Sequence, residues 1–175
     1  MSDAIKLDAK ELLDLYKALG QVDPELRKAL RRQLTALAKP IVEEVKRAEL
    51  AIPSNKGSAG GTRKKKGTTL GLRASLANAT KADFATMGHG AAVHIRVSSS
   101  KFVAVSGRPR TIPYYMEARR KRPWRHPVYG NKDNWVTQKG HPFLMGTVRK
   151  HKDEFEKSCL KAVNEILDQI DSKVN

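Results

Sequence analysis

Between Leu26 and Ala48 the apolar residues fall every three or four positions: Leu26, Leu30, Leu34, Leu37, Ile41, Val45 and Ala48. That spacing gathers them on one side of an α-helix, with Arg27, Arg31, Lys39, Glu43 and Lys46 largely off it. A one-faced helix of this length has to be covered by other elements, so the chain is committed to a packed fold. Asp23-Pro24 marks its start, an N-cap residue followed by proline at the first helical position, and Glu25 suits the positive end of the helix dipole. Pro40 lies inside the pattern and predicts a kink or interruption there; Pro53 ends the segment. A shorter amphipathic helix over 8–19 carries Leu12, Leu13, Tyr16 and Leu19, with Gly20 as its stop. At the other end His141-Pro142 opens a C-terminal helix over 143–172. Val148, Phe155, Cys159, Val163, Ile166, Ile170 and Val174 share its apolar stripe.

The middle reads differently. Residues 54–67 hold glycines and clustered lysines with almost no apolar anchor, which predicts a flexible basic loop. A short helix is expected within 68–76, where Leu72 and Leu76 can share a face. Ala91 to Val97 alternates, placing Val93, Ile95 and Val97 on one face and His94 and Arg96 on the other, as in a strand. Gly88 and Gly90 suggest the turn before it, and Phe102 to Val105 is a second candidate strand. Tyr114 to Arg122 reads as helical until Pro123, and 123–142 as a connection rich in turn formers and aromatics. The expectation is therefore an α+β fold, with N- and C-terminal helices packed on a small central antiparallel sheet and a long basic loop. The 175 residues suit a single domain over 1–175: helical 8–52, loop 54–67, sheet and motif region 68–142, C-terminal helix 143–172.

Charge narrows the partners. Lys and Arg number 34 against 18 Asp and Glu, a net +16 that favours a polyanion or an acidic protein surface. Lys56, Arg63, Lys64, Lys65 and Lys66 form a candidate polyanion- or partner-binding loop without an acid. Lys101 to Arg125 holds eight basic residues against Glu117 alone. No apolar run is long enough to span a membrane and no secretory leader is visible, so a soluble, cytoplasmically made protein is expected.

Chemistry is harder to find. His89, His94, His126, His141 and His151 show no metal-ligand spacing with one another or with Cys159, the single cysteine. Cys159 sits on an apolar helix face, where a thiol is an inert small hydrophobe. Ser98-Ser99-Ser100 lacks the Gly-x-Ser-x-Gly frame of a nucleophile elbow, and Gly57 to Gly67 is not followed by the Gly-Lys-Ser/Thr of a phosphate loop. Glu43-Glu44 and Asp153-Glu154 look like solvated helix charges. The expectation is no enzyme, no cofactor and no metal. No helix-turn-helix, zinc-finger or basic-zipper spacing is present, so any nucleic-acid contact is expected to be to phosphates.

The most informative stretch is Arg125-His126-Pro127-Val128-Tyr129-Gly130-Asn131, followed by Trp135-Val136, Gln138 and His141-Pro142-Phe143. Pro127 forces His126 to be extended, Gly130-Asn131 suits a tight turn, and Trp124, Tyr129 and Trp135 are expected to bury one face and fix its shape. This stretch resembles the tail-component, head–tail joining and tail-completion family of long-tailed bacteriophages. In that family an Arg-His-Pro-Val-aromatic-Gly-Asn segment is followed by Trp-Val, Gln and Pro-Phe before a C-terminal helix. The layout of roughly 24–172 is similar too, including Leu72-Arg73-Ala74-Ser75-Leu76 after the variable loop.

The resemblance implies a neck or minor tail subunit without catalytic residues. Its partners would be further copies in a six- or twelve-fold ring, head-closure or adaptor proteins, and tail-terminator or tail-tube proteins. Non-specific contact with DNA in the channel is compatible with that place, which would be the virion neck or tail of a phage made in the bacterial cytoplasm. A ring needs a heterologous interface that closes by rotation. Arg122, Trp124, Arg125, His126, Pro127, Tyr129, Gly130, Asn131 and Trp135 are its candidate residues, with Glu43, Glu44, Asp153 and Glu154 as candidate counter-charges. The alternative on charge alone is a sequence-independent nucleic-acid-binding module. If the basic loop holds DNA through phosphates, affinity falls steeply with salt. Replacing Arg63, Lys64, Lys65 and Lys66 by alanine should then flatten that dependence in a binding titration across salt concentrations.

Overall fold

The computed structural model describes residues 8–53, 71–117, 123–128 and 131–174. In chain order the elements are α1 (Ala9–Val22), α2 (Pro24–Leu37), α3 (Lys39–Leu50), α4 (Leu72–Ala79), β1 (Thr80–Met87) and β2 (Gly90–Val97). They continue as α5 (Ser99–Ser106), α6 (Ile112–Met116), β3 (Trp124–Val128), β4 (Asn131–Gln138), α7 (Met145–Lys150) and α8 (Lys152–Val174). The fold is α+β. Its strands form two separate two-stranded ribbons, β1–β2 and β3–β4, rather than one central sheet. The chain groups into two compact units made of discontinuous stretches: 1–42, 82–95 and 150–175, and 43–81 and 96–149. Among the described residues no helix is long and apolar enough to cross a membrane.

In the first unit α2 packs against α1 and α8. Leu12, Leu13 and Leu19 of α1, Leu26, Leu30 and Leu34 of α2, and Cys159, Ala162, Val163 and Ile166 of α8 bury together with Phe84 and Ala91. The apolar stripes of the sequence meet here. The helix breaks at Ala38, as Pro40 demanded: the Ala38 N–H turns back to the Thr35 carbonyl at 3.3 Å, and α3 restarts with Pro40 in its first turn, where no N–H is needed.

Gly20 does not stop α1, which continues to Val22. A Cβ at Gly20 would come within 2.6 Å of an Arg27 guanidinium nitrogen. The glycine therefore clears a path for Arg27, whose guanidinium lies 5.6 Å from the Tyr16 ring centre. Tyr16 in turn leans on Phe84, with ring centres 4.9 Å apart. Gly90 also lies close against α1: a Cβ there would sit 2.8 Å from that of Ala9.

The second unit departs further from expectation. Phe102 to Val105 is not a strand but part of the helix α5. Phe102 and Ser106, four apart, are both buried, and Gly107 closes the helix at φ 63° with its N–H on the Val103 carbonyl. A four-residue apolar run carries no period of its own, so a strand and a buried helical turn look alike in sequence. The expected 68–76 helix lies at 72–79 where it is described, and it packs on α5. The Tyr114 to Arg122 helix is the short α6, ended by Glu117; residues 118–122 lie outside the described residues.

The connection expected over 123–142 is instead the ribbon β3–β4. The C-terminal helix is divided at His151 into α7 and α8, with no glycine or proline in the sequence to mark the division. His94, expected on a polar face, is half-buried, and its enclosed Nε2 lacks a hydrogen-bond partner.

Two glycines test this account. Gly107→Ala places a Cβ on a left-handed residue and should cost about 1 kcal/mol in urea unfolding. Gly88, with open space around it and no positive φ, should accept alanine without loss.

Candidate functional site

The resemblance-bearing stretch forms the ribbon β3–β4 and the chain that roots it. The strands pair antiparallel, Trp124 opposite Gln138, Arg125 opposite Thr137, His126 opposite Val136 and Pro127 opposite Trp135. An irregularity falls between Pro127 and Val128, which then meets Asn131. Proline has no N–H for the ladder, and a two-stranded ribbon tolerates it because each strand has a free edge.

Lys132 to Thr137 are exposed without interruption. Trp135 is 46% and Val136 38% exposed. Being adjacent on a strand they point to opposite faces, so β4 is exposed on both sides at this point. The expected burial of Trp135 is therefore overturned. Its indole is held from within the ribbon instead: Nε1 donates to the Lys132 carbonyl at 2.5 Å, and the Arg125 guanidinium lies 5.8 Å from the ring centre. Arg122, Tyr129 and Gly130 lie outside the described residues, as do Lys56, Arg63, Lys64, Lys65 and Lys66.

The root of the ribbon is a buried carboxylate that sequence reading passed over. Glu117, at the end of α6, accepts N–H bonds from Phe143 at 3.1 Å, Leu144 at 2.9 Å and Met145 at 2.7 Å. The His141 N–H donates to the Met116 carbonyl at 2.7 Å, and the Gln138 amide to Met116 Sδ at 3.3 Å. Thr147 Oγ1 donates to the carbonyl of the buried Phe143. The chain entering the ribbon after Glu117 and the chain leaving it after Gln138 are thus tied at one place. Gln138, His141 and Phe143 belong to the root, while Arg125 and Trp135 belong to the part presented. The one legible signal for Glu117 was its isolation, a single acid in an otherwise basic stretch.

A second acid, Glu49, far from Glu117 in sequence, is buried in the same unit. Glu49 is fully enclosed: Oε1 accepts from the Thr80 hydroxyl at 2.6 Å, and Oε2 has no partner. Burial, opposed by the Thr80 hydrogen bond and reinforced by the charge of Glu117, pushes its carboxyl up to about 7. Cys159, in the first unit, is likewise raised by burial, to about 11, with Glu156 adding to the effect. Among the described residues no group of three or more His, Cys, Asp or Glu is placed to hold a metal ion.

Charge divides sharply between the units. The stretches of the first contain 13 basic and 13 acidic residues; those of the second contain 21 and 5, which together return the 34 and 18 of the chain. The whole net +16 therefore belongs to the second unit, and two of its five acids, Glu49 and Glu117, are buried. The counter-charges named from sequence are distributed accordingly: Glu43 and Glu44 in the second unit, with Glu43 paired to Lys46, and Asp153 and Glu154 exposed in the first turn of α8.

No protein-family model, curated protein or solved structure matches this chain.

Both carboxylates yield measurable expectations. Glu117→Gln replaces an acceptor with a donor facing backbone N–H groups and should cost about 2–4 kcal/mol in thermal or urea unfolding. For Glu49 the folded-state value lies above the ordinary one of 4.5, so the folded state holds the proton more tightly. Stability is favoured below about pH 4.5 and lost as pH rises through about 7, by an amount on the order of 3 kcal/mol. Glu49→Gln should therefore gain on the native protein between pH 5 and 8 in unfolding midpoints. A constant difference across that range would show that the carboxyl does not titrate there.

Proposed function

We propose that this chain is a structural protein of a long-tailed bacteriophage, a ring-forming subunit of the neck that joins head to tail. What supports this most directly is the position of the resemblance-bearing stretch. It makes up an exposed ribbon and the polar root that fixes it, an arrangement suited to contact with another protein. The protein acts by binding and assembly rather than by catalysis. Its partners are copies of itself and the head-closure, tail-terminator or tail-tube proteins above and below the ring.

A second reading, sequence-independent nucleic-acid binding, is favoured by the concentration of the net charge in one unit. The two are compatible where a ring encloses DNA.

Deleting the gene in the phage that carries it should leave filled heads and finished tails unjoined in electron micrographs. Joined, infectious particles from the deletion would sink the neck reading. Trp135→Ala should lower the yield of joined particles while changing subunit stability by about 1 kcal/mol or less, because the ring is half exposed.

A further inference from the structure

Thr80 has one hydroxyl proton and two acceptors within reach: Glu49 Oε1 at 2.6 Å and the Leu76 carbonyl at 3.1 Å. The two protonation states of Glu49 place that proton differently. If Glu49 is ionised, the hydroxyl turns to the carboxylate, the Leu76 carbonyl keeps the Thr80 N–H, and Oε2 stays enclosed without a donor. A buried carboxylate needs more: Glu117, in the same unit, takes three N–H groups. If Glu49 is neutral, its own proton goes from Oε1 to Thr80 Oγ1 and the Thr80 proton goes to Leu76. Oε2 is then an uncharged acceptor, whose burial costs far less.

The surrounding charges favour the neutral form. Glu117, at the end of α6, acts on Glu49 as a like charge; Lys46, three residues back on α3, opposes it but is paired with Glu43 at 2.7 Å. Arg73 is the one charged residue of α4, β1 opens with the exposed Lys81, and α5, packed on α4, carries the exposed Lys101. Thr80 itself stands where α4 becomes β1, and the Ser98 N–H closes on the neighbouring Ala79 carbonyl at 2.9 Å.

We propose that Glu49 and Thr80 form a proton-dependent latch: neutral Glu49 donates to Thr80, Thr80 donates to Leu76, and loss of the Glu49 proton releases α3 from the corner between α4 and β1. The carboxyl is raised from 4.5 to about 7, so the latch is closed in mild acid and loosens as pH rises toward neutrality. It is a property of the single chain and does not depend on the ring reading.

The test follows the side-chain carboxyl carbon of Glu49 by NMR in the carbon-13-labelled chain from about pH 4 to about pH 9, assigned through its own backbone. Hydrogen exchange of the Thr80 and Ser98 amides is measured over the same range and expressed relative to unstructured peptide. The carboxyl should be neutral in mild acid and titrate near neutrality. Protection of both amides should fall by roughly tenfold per pH unit between about pH 5 and 7 and then level off. Glu49→Gln, whose amide still donates to Thr80, should flatten that fall. Thr80→Val breaks the relay and should lower protection by roughly fivefold to tenfold already at about pH 5, while Thr80→Ser should keep the native profile.

A Glu49 carboxyl already ionised at about pH 5 would overturn the latch. So would the same fall of protection in the native protein and in Glu49→Gln, or a Thr80→Val profile identical to the native one. The native titration and the Thr80 pair decide even where Glu49→Gln does not fold.

Discussion

Three backbone N–H groups in succession, at Phe143, Leu144 and Met145, would be left without partners inside the second unit if Glu117 were not beneath them. Buried donors of this kind are costly when unmet, and a carboxylate is the strongest acceptor a side chain can offer. Glu117 ties the chain at the start of α7, while Met116 beside it holds the chain leaving β4. The described β4 residues Lys132 to Thr137 are all exposed, so the contacts described for this stretch lie at its root.

Glu117 also shapes its surroundings electrostatically. Its charge adds to the burial of Glu49 and helps hold that carboxyl near 7. The second unit thus removes two of its five acids from the surface, whereas the first carries equal numbers of basic and acidic residues. An excess of one sign lowers the stability of a compact body by self-repulsion. Its concentration in a single unit is therefore a feature that an acidic partner would relieve.

The helices of the first unit were legible because long amphipathic stripes are their own signal: Leu26, Leu30 and Leu34 sit where their spacing put them, and Pro40 broke the helix as its missing N–H required. Short elements were not. Phe102 to Val105 lacks a period, and only Ser98 before it and Gly107 after it disclose a helix. The β3–β4 ribbon hid behind Pro127 and a polar, uncovered β4, so no hydrophobic alternation announced it. The residues named from the motif therefore divided into a presented part and a root. The buried acids of the second unit, Glu49 and Glu117, carry no local sequence mark of burial, because burial of a polar group is decided by partners distant in sequence.

The lone thiol has a practical corollary. Cys159 is enclosed in the first unit's core and its proton is held to about pH 11, so the nucleophilic thiolate is scarce under ordinary conditions. A disulfide or thiol-directed label on the folded chain would first require the core of the first unit to open.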